Sequence, residues 1–153
     1  MPSFGSETGN VLYLIVCGAP PAADTAQFVK EKQADGWDVC VVATPHGLQW
    51  FDVEEVQRLT GHPVRSEYRR PSEAEFQPRG DSVVVAPATF NTINKWALGI
   101  SDTLALGLLN EALGRDVPTQ VHVAVNDALA SHPGYRAAIK ILCDRDVEIV
   151  ANG

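Results

Sequence analysis

One stretch decides the fold of this chain: Val83–Asp102, which reads VVVAPATFNTINKWALGISD. Its β-branched start predicts a buried strand, and its second half predicts a helix. In parallel α/β proteins, ligands bind where strands end and helices begin, because free backbone N–H groups and the helix dipole point there. The polar side chains at that place are Thr89, Asn91, Thr92 and Lys95. They predict a ligand site, and ordinary helix capping by Thr or Asn is the other interpretation.

Strand-length apolar runs alternate with helix-length segments along the rest of the chain. We expect strands at Val11–Cys17, Val39–Ala43, Ser82–Ala86, Gln120–Val125 and Val147–Val150, and a short one at Val64–Glu67. Helices are predicted over Pro20–Ala34, Gly47–Leu59, Asn91–Leu98, Asp102–Leu113 and Gly134–Cys143, with Pro71–Gly80 as a surface loop. Strands separated by helices pair in parallel through right-handed crossovers. The sequence therefore predicts a flexible tail at 1–10 and a single three-layer, Rossmann-like α/β domain at 11–153, with helices on both faces of a parallel sheet.

Composition excludes several classes of protein. An apolar fraction of 45% indicates a globular fold, and a net charge of −7 disfavours nucleic acid and anionic membranes as partners. No apolar run approaches the ~20 residues of a membrane span, and the first ten residues have no signal-peptide pattern. The cysteines Cys17, Cys40 and Cys143 are far apart, and no histidines show metal-ligand spacing. We therefore expect a cytoplasmic protein without a metal site.

Most of the chain, from Val11 to Val150, resembles a known family. Ala86–Lys95 reads APATFNTINK and Gly99–Leu104 reads GISDTL. These segments are similar to the signature of the homo-oligomeric flavin-containing cysteine decarboxylases, which include phosphopantothenoylcysteine decarboxylases and lantibiotic peptidyl-cysteine decarboxylases. Further agreements lie at Gly18, Thr44, Leu59–Val64 and Val123–Asn126. The resemblance implies a flavodoxin-like fold, FMN as the cofactor, and assembly as trimers or as dodecamers built from trimers.

The resemblance also implies a set of cofactor contacts. The residues expected to bind FMN are Gly18, Ala19, Thr44, Ala88, Thr89, Phe90, Asn91, Thr92 and Ala124. Flavin chemistry agrees, since Asn91 and Thr92 offer hydrogen bonds to the polar edge or the ribityl chain and Phe90 offers apolar surface. Trp50 and Phe51 are either further flavin contacts or part of a core-facing helix.

Two polar residues follow the second strand, and each has functional and purely structural interpretations. Thr44 either binds a phosphate or caps a turn. His46 either contacts a ligand phosphate or serves in acid–base chemistry, or it is a histidine of a surface turn. Trp96 likewise lies either near a subunit interface or in the core, because its helix has more apolar surface than one core face needs.

The chain departs from the family pattern at three places. Where the family has a phosphate-binding serine after the first glycine, this chain has Ala19 and then Pro20-Pro21, which lack backbone donors, and Asp24 adds negative charge. The region of the family's acid–base histidine contains Glu73 and Glu75, which act as bases only if their pKa is raised and are otherwise solvated carboxylates. No segment matches the family's substrate-clamping flap.

Asn126 is the remaining residue of the family's P-x-M-N motif and the candidate catalytic residue. It either holds a substrate carboxylate or forms a turn or helix cap. Three hypotheses follow. The first is an FMN flavoprotein that oxidatively decarboxylates a cysteine-like thiol carboxylate, small or peptidyl, with the flavin as hydride acceptor. The second is a degenerate member that acts as a flavin-binding or regulatory subunit. The third, an unrelated nucleotide-binding domain, is disfavoured because the chain has neither G-x-G-x-x-G nor a P-loop.

Overall fold

A computed structural model describes residues 10–67 and 79–150 of the chain. Five parallel strands form one sheet: β1 Val11–Val16, β2 Asp38–Ala43, β3 Ser82–Ala88, β4 Thr119–Val123 and β5 Glu148–Val150. The order across the sheet is β2-β1-β3-β4-β5. This is the flavodoxin-like order of a doubly wound fold. The predicted α/β architecture is confirmed.

Six helices connect the strands. They are α1 Thr25–Ala34, α2 Val53–Thr60, α3 Phe90–Ala97, α4 Leu104–Gly114, α5 Asp127–Ala130 and α6 Pro133–Cys143. Short 3₁₀ turns precede the first two, at Pro20–Asp24 and Gly47–Gln49. The prolines that open the first turn fit there because the N–H groups of a first turn have no helical partner.

The helices cover the sheet in two layers, and each layer has its own apolar cluster. Side chains of α1 and α2 pack on one face with alternate residues of β1 and β2, including Leu12, Leu14 and Val41. Side chains of α3, α4 and α6 pack on the other face with the remaining alternate residues, including Tyr13 and Ile15. All six residues of β1 are buried, as expected for a central parallel strand covered on both faces.

Trp96 belongs to the second of these layers. Its side chain is 1% exposed, and its indole Nε1 donates a hydrogen bond to the carbonyl oxygen of Leu109, 3.0 Å away. The indole therefore ties α3 to α4 inside the chain. Of the two predicted positions, the structure gives Trp96 the one in the core.

Three sequence-based expectations differ from the structure. The predicted helix Gly47–Leu59 is divided into a 3₁₀ turn at Gly47–Gln49 and α2, which begins only at Val53 because the Asp52 side chain caps it by accepting a hydrogen bond from Glu55 N. Val64–Glu67 is not a strand: Arg65 makes one isolated parallel bridge with Val42, because the segment offers few apolar side chains to bury on the sheet. The helix α5 was not predicted, since four residues are too short to show a period. The predicted tail, except for Asn10, and the predicted loop, except for Arg79 and Gly80, lie outside the described residues.

Candidate functional site

The strand order places a crevice at the carboxyl ends of β1 and β3. The chain crosses from β1 to β2 in one direction and then returns to β3 on the other side, and this reversal opens the crevice that α/β proteins use for ligands. Three backbone hydrogen bonds join the loops there: Cys17 N to Pro87 O, Thr44 N to Val16 O and Ala124 N to Ala88 O, at 3.1, 2.9 and 2.9 Å. The loops that carry the predicted site residues therefore meet at one edge of the sheet.

The amino terminus of α3 faces this edge. Thr89 is the N-cap residue, and its Oγ1 accepts a hydrogen bond from Thr92 N at 3.3 Å. The backbone N–H groups of Phe90 and Asn91 have no partner among the described residues, and the Asn91 side chain is exposed. Free N–H groups and the positive end of the helix dipole favour a polar or anionic ligand group here.

The side chain of Thr92 points into the protein, away from the crevice. Its side chain is buried, and its Oγ1 accepts hydrogen bonds from Cys17 Sγ at 3.4 Å and from Thr89 Oγ1 at 3.1 Å. Burial raises the pKa of the Cys17 thiol, so the thiol stays protonated and donates to Thr92. In this structure Thr92 holds the loop from inside, and its predicted contact with a cofactor stays a prediction.

The loops after β1 and β2 contact each other beside α3. The Oγ1 of Thr44 accepts a hydrogen bond from Gly47 N at 3.0 Å, as in the turn-capping interpretation, and its hydroxyl proton remains available for a ligand. The N–H of Gly18 has no partner in the described part of the chain. These two groups are the ones placed to meet a ligand between the loops, because the N–H of Thr44 already donates to Val16.

A cleft of about 610 Å³ extends from the crevice along α1. Its lining residues are Pro20, Pro21, Asp24, Thr25, Phe28, Ala86, Pro87, His122, Val123, Ala124, Val125 and Asn126. The volume falls within the range of about 300–1,000 Å³ that is typical of small-molecule sites. The predicted residues Ala124 and Asn126 thus line one cavity next to the α3 terminus.

Of the two interpretations of Asn126, the structure shows the helix cap, and the contact with a substrate carboxylate stays a prediction. Its Oδ1 accepts a hydrogen bond from Leu129 N at 2.9 Å, which makes it the N-cap of α5. Its Nδ2 has no partner among residues 10–67 and 79–150, so it can still donate to a ligand in the cleft.

His122 and Phe28 line the cleft although sequence reasoning did not select them. The His122 Nε2 lies 2.7 Å from Gln120 Oε1, and its ring meets Phe28 edge to face with centroids 5.6 Å apart. Burial, and then the nearby charge of Lys32, lower the pKa of His122, which favours a neutral ring. The signal that could have found His122 is its place near the carboxyl end of β4, since α/β proteins bind ligands at the carboxyl ends of their strands.

The remaining aromatic and basic candidates serve mainly internal contacts. Phe90 stacks on Tyr135 with ring centroids 5.7 Å apart, and Phe51 packs in the α1–α2 layer. Trp50 remains exposed. The Lys95 Nζ donates to Asp102 Oδ2 at 2.7 Å, so its charge is paired.

The donor set fits a flavin. The exposed amide of Asn91 and the open N–H groups at the α3 terminus suit its polar edge, and the proline and valine walls of the cleft suit its apolar part. Glu73 and Glu75 lie outside the described residues. Within residues 10–67 and 79–150, no group of three His, Cys, Asp or Glu side chains could hold a metal ion. No helix in those ranges is long and apolar enough to cross a bilayer.

A family model and a curated relative both match nearly the whole chain. The Flavoprotein family matches residues 5–152. The bifunctional coenzyme A biosynthesis protein CoaBC of Thermococcus kodakarensis is 26% identical over 147 residues, which cover 93% of this chain and 36% of that protein. The chain thus spans about a third of the length of this relative.

Two solved structures have the same fold. The epidermin biosynthesis protein EpiD of Staphylococcus aureus superposes with a TM-score of 0.74 at 26% identity, over 92% of this chain and 81% of that one. TvaF, an FMN-dependent cysteine decarboxylase of thioviridamide biosynthesis, superposes with a TM-score of 0.81 at 20% identity, over 92% and 89% of the two chains. The second likeness concerns the fold alone.

Proposed function

Because the chain belongs to the Flavoprotein family, we propose that it binds FMN in the crevice outside the carboxyl ends of β1 and β3. One observation carries this proposal: the open N–H groups of Phe90 and Asn91 and the unbonded Asn91 side chain lie together at this crevice. Such a terminus binds polar and anionic groups through its N–H groups and dipole.

Each loop has a part in holding the cofactor. Asn91 would bind the polar edge of the ring or the ribityl chain, with Thr89 and Thr92 fixing the loop around it. Gly18 and Thr44 would face the phosphate, with Ala19 beside them. Phe90 and Ala124 would supply apolar contact along the α3 loop and the cleft wall, and the buried Ala88 would support the loop from the core.

The proposed reaction is oxidative decarboxylation of a cysteine-like thiol carboxylate, either a small molecule or a peptide. FMN bound here would supply the two-electron acceptor that this chemistry requires. The chain itself contributes the Nδ2 of Asn126, which donates a hydrogen bond to the substrate carboxylate while Oδ1 stays bound to α5. The proline and valine side chains of the cleft would lie beside the bound substrate.

A second candidate function is a flavin-binding or regulatory subunit without decarboxylase activity. The observation that favours it is Pro20-Pro21 and Asp24 on the cleft wall, because the two prolines offer no backbone N–H to an anionic ligand and Asp24 adds a carboxylate. The two candidates share the cofactor and differ in turnover, so they are separated by an activity assay.

The proposal extends to assembly and location. The chain would associate with copies of itself as a trimer or as a dodecamer of trimers, in the cytoplasm, with a thiol substrate as its other partner. Exposed Leu98 and Ile100 at the end of α3 offer apolar surface for such contacts.

Spectroscopy of the purified protein tests the cofactor directly. We expect the flavin absorption spectrum, or its appearance on adding FMN, and titration should show FMN binding more tightly than FAD or riboflavin. A colourless protein that leaves FMN fluorescence unchanged at high concentration would reject the proposal.

A further inference from the structure

The ring of His46 lies directly against Gly18. A Cβ built on Gly18 would be 2.7 Å from His46 Cγ, and closer still to Cδ2, so only glycine leaves room for the ring. Gly18 follows β1 and His46 follows β2, and the ring therefore sits between the two loops at the crevice edge.

The turn that carries His46 is held in place. Gly47 packs so closely on the end of β1 that a Cβ there would collide with the carbonyl oxygen of Val16. On either side, Thr44 N donates to Val16 O at 2.9 Å and Gly47 N donates to Thr44 Oγ1 at 3.0 Å. The ring nitrogens of His46 have no hydrogen-bond partner in the described part of the chain, and the residue is exposed. The hydrogen-bonded turn thus places the ring against Gly18 with its nitrogen atoms unused.

An anion at this place has few backbone donors. Pro20 and Pro21 have no N–H, and the N–H of Ala19 donates to Cys17 O at 3.1 Å. The N–H of Gly18 has no partner among the described residues. A phosphate between the loops therefore requires a side-chain donor as well.

We propose that the His46 imidazole and the Gly18 N–H together bind the terminal phosphate of FMN. This inference rests on the proposed function, because it assigns the phosphate of the same cofactor. The imidazole N–H replaces the backbone donors that the two prolines remove, and the turn holds it in position before the ligand arrives. Thr44 can add its hydroxyl proton.

Comparing FMN with riboflavin isolates the phosphate, because riboflavin is the same molecule without that group. For His46→Ala we expect the Kd for FMN to rise about tenfold or more, the loss typical of a hydrogen bond to a charged group, while the Kd for riboflavin stays within about twofold. Gly18→Ala should act in the same way, since its Cβ displaces the ring. His62→Gln is the matched control: its Nε2 lies 2.8 Å from Asp38 Oδ1, at the opposite end of β2.

The outcomes separate this inference from the proposed function. If His46→Ala leaves FMN affinity unchanged, the ring does not bind the phosphate, and if the affinity increases, the ring occupies the phosphate position. Either result overturns the inference while FMN binding stands. Equal weakening of FMN and riboflavin would overturn it too, since the ring would then support the site generally. If the wild-type chain binds neither molecule, the proposed function fails together with the inference.

Discussion

Asn91 is the side chain on which flavin affinity should depend most directly. It is exposed, and its amide has no partner among the described residues, so it is free for the cofactor. We expect Asn91→Ala to weaken FMN binding by about 1–3 kcal/mol, because a buried polar edge of the flavin would lose its partner. Fluorescence titration measures this change.

Thermal unfolding of the apo protein provides the control for Asn91→Ala. The exposed Asn91 side chain makes no hydrogen bond within residues 10–67 and 79–150, so the free energy of unfolding should stay within about 0.5 kcal/mol of the wild type. Unchanged FMN affinity would show that Asn91 does not face the cofactor.

Cys40 makes stability depend on alkaline pH. Burial, and then the charge of Asp38, raise the pKa of its thiol from 9.0 to about 12. The unfolded chain therefore loses this proton near pH 9 and the folded chain only near pH 12. Between these values the folded state binds more protons, so the free energy of unfolding falls as pH rises, by up to ~1.4 kcal/mol per pH unit.

Denaturant titrations from pH 8 to pH 11 measure this slope. Cys40→Ala should be less stable at pH 8 and should show a shallower decline above pH 9, in which the buried thiol of Cys17 still contributes. An identical slope in the variant would contradict the assignment.

The helix α3 contributes both to the core and to the candidate site, through different parts of its surface. Its buried face carries Ile93 and Trp96 into the core, and its amino terminus presents the ligand groups. We expect Trp96→Ala to lower the free energy of unfolding by about 3–5 kcal/mol, because it leaves a cavity and removes the bond to Leu109 O. Leu98→Ala, at a side chain 73% exposed, should cost less than about 0.5 kcal/mol.

Chemical denaturation of both variants checks this division of α3. If Trp96→Ala changed only the oligomeric state and left the stability of the protomer intact, the indole would belong to an interface rather than to the core.

For the whole molecule, self-association is the first expectation. Light scattering at micromolar concentration should give three times the chain mass of 16.5 kDa, or a multiple of that trimer. Leu98→Lys should dissociate it, because the substitution places a charge in the exposed apolar surface next to Ile100. Ala34→Lys, at an exposed position of α1, is the control. A wild-type mass of one chain would reject self-association, and a trimer insensitive to Leu98→Lys would exclude only this surface.

The catalytic activity of the whole protein is the subject of a further prediction. The chain has glutamates where the family has its histidine, and general acid–base help is typically worth 10²–10⁴-fold. We therefore expect little or no turnover of phosphopantothenoylcysteine. Anaerobic mixing with cysteine substrates, followed by flavin bleaching and CO₂ release, measures it. Rapid turnover of that substrate would contradict the expectation, and turnover of another thiol carboxylate that falls with Asn126→Ala would favour the enzyme over the subunit.

The sequence by itself determined the α/β class, the places of the five sheet strands along the chain, and the family. Local rules suffice for these features, since the apolar runs of β1 and β3, the cap at Thr89, and the APATFNTINK segment are each encoded within a few consecutive residues. Most of the residues predicted at the site follow strand ends for the same reason.

Only the tertiary structure decided what each side chain faces. Thr92 and Asn91 are neighbours in sequence, yet one is buried against Cys17 and the other is exposed. His122 joins Phe28 across the cleft, and the His46 ring covers Gly18, through contacts between elements far apart in the chain. These positions depend on how closely separate loops approach each other, and packing sets that distance while local propensity does not.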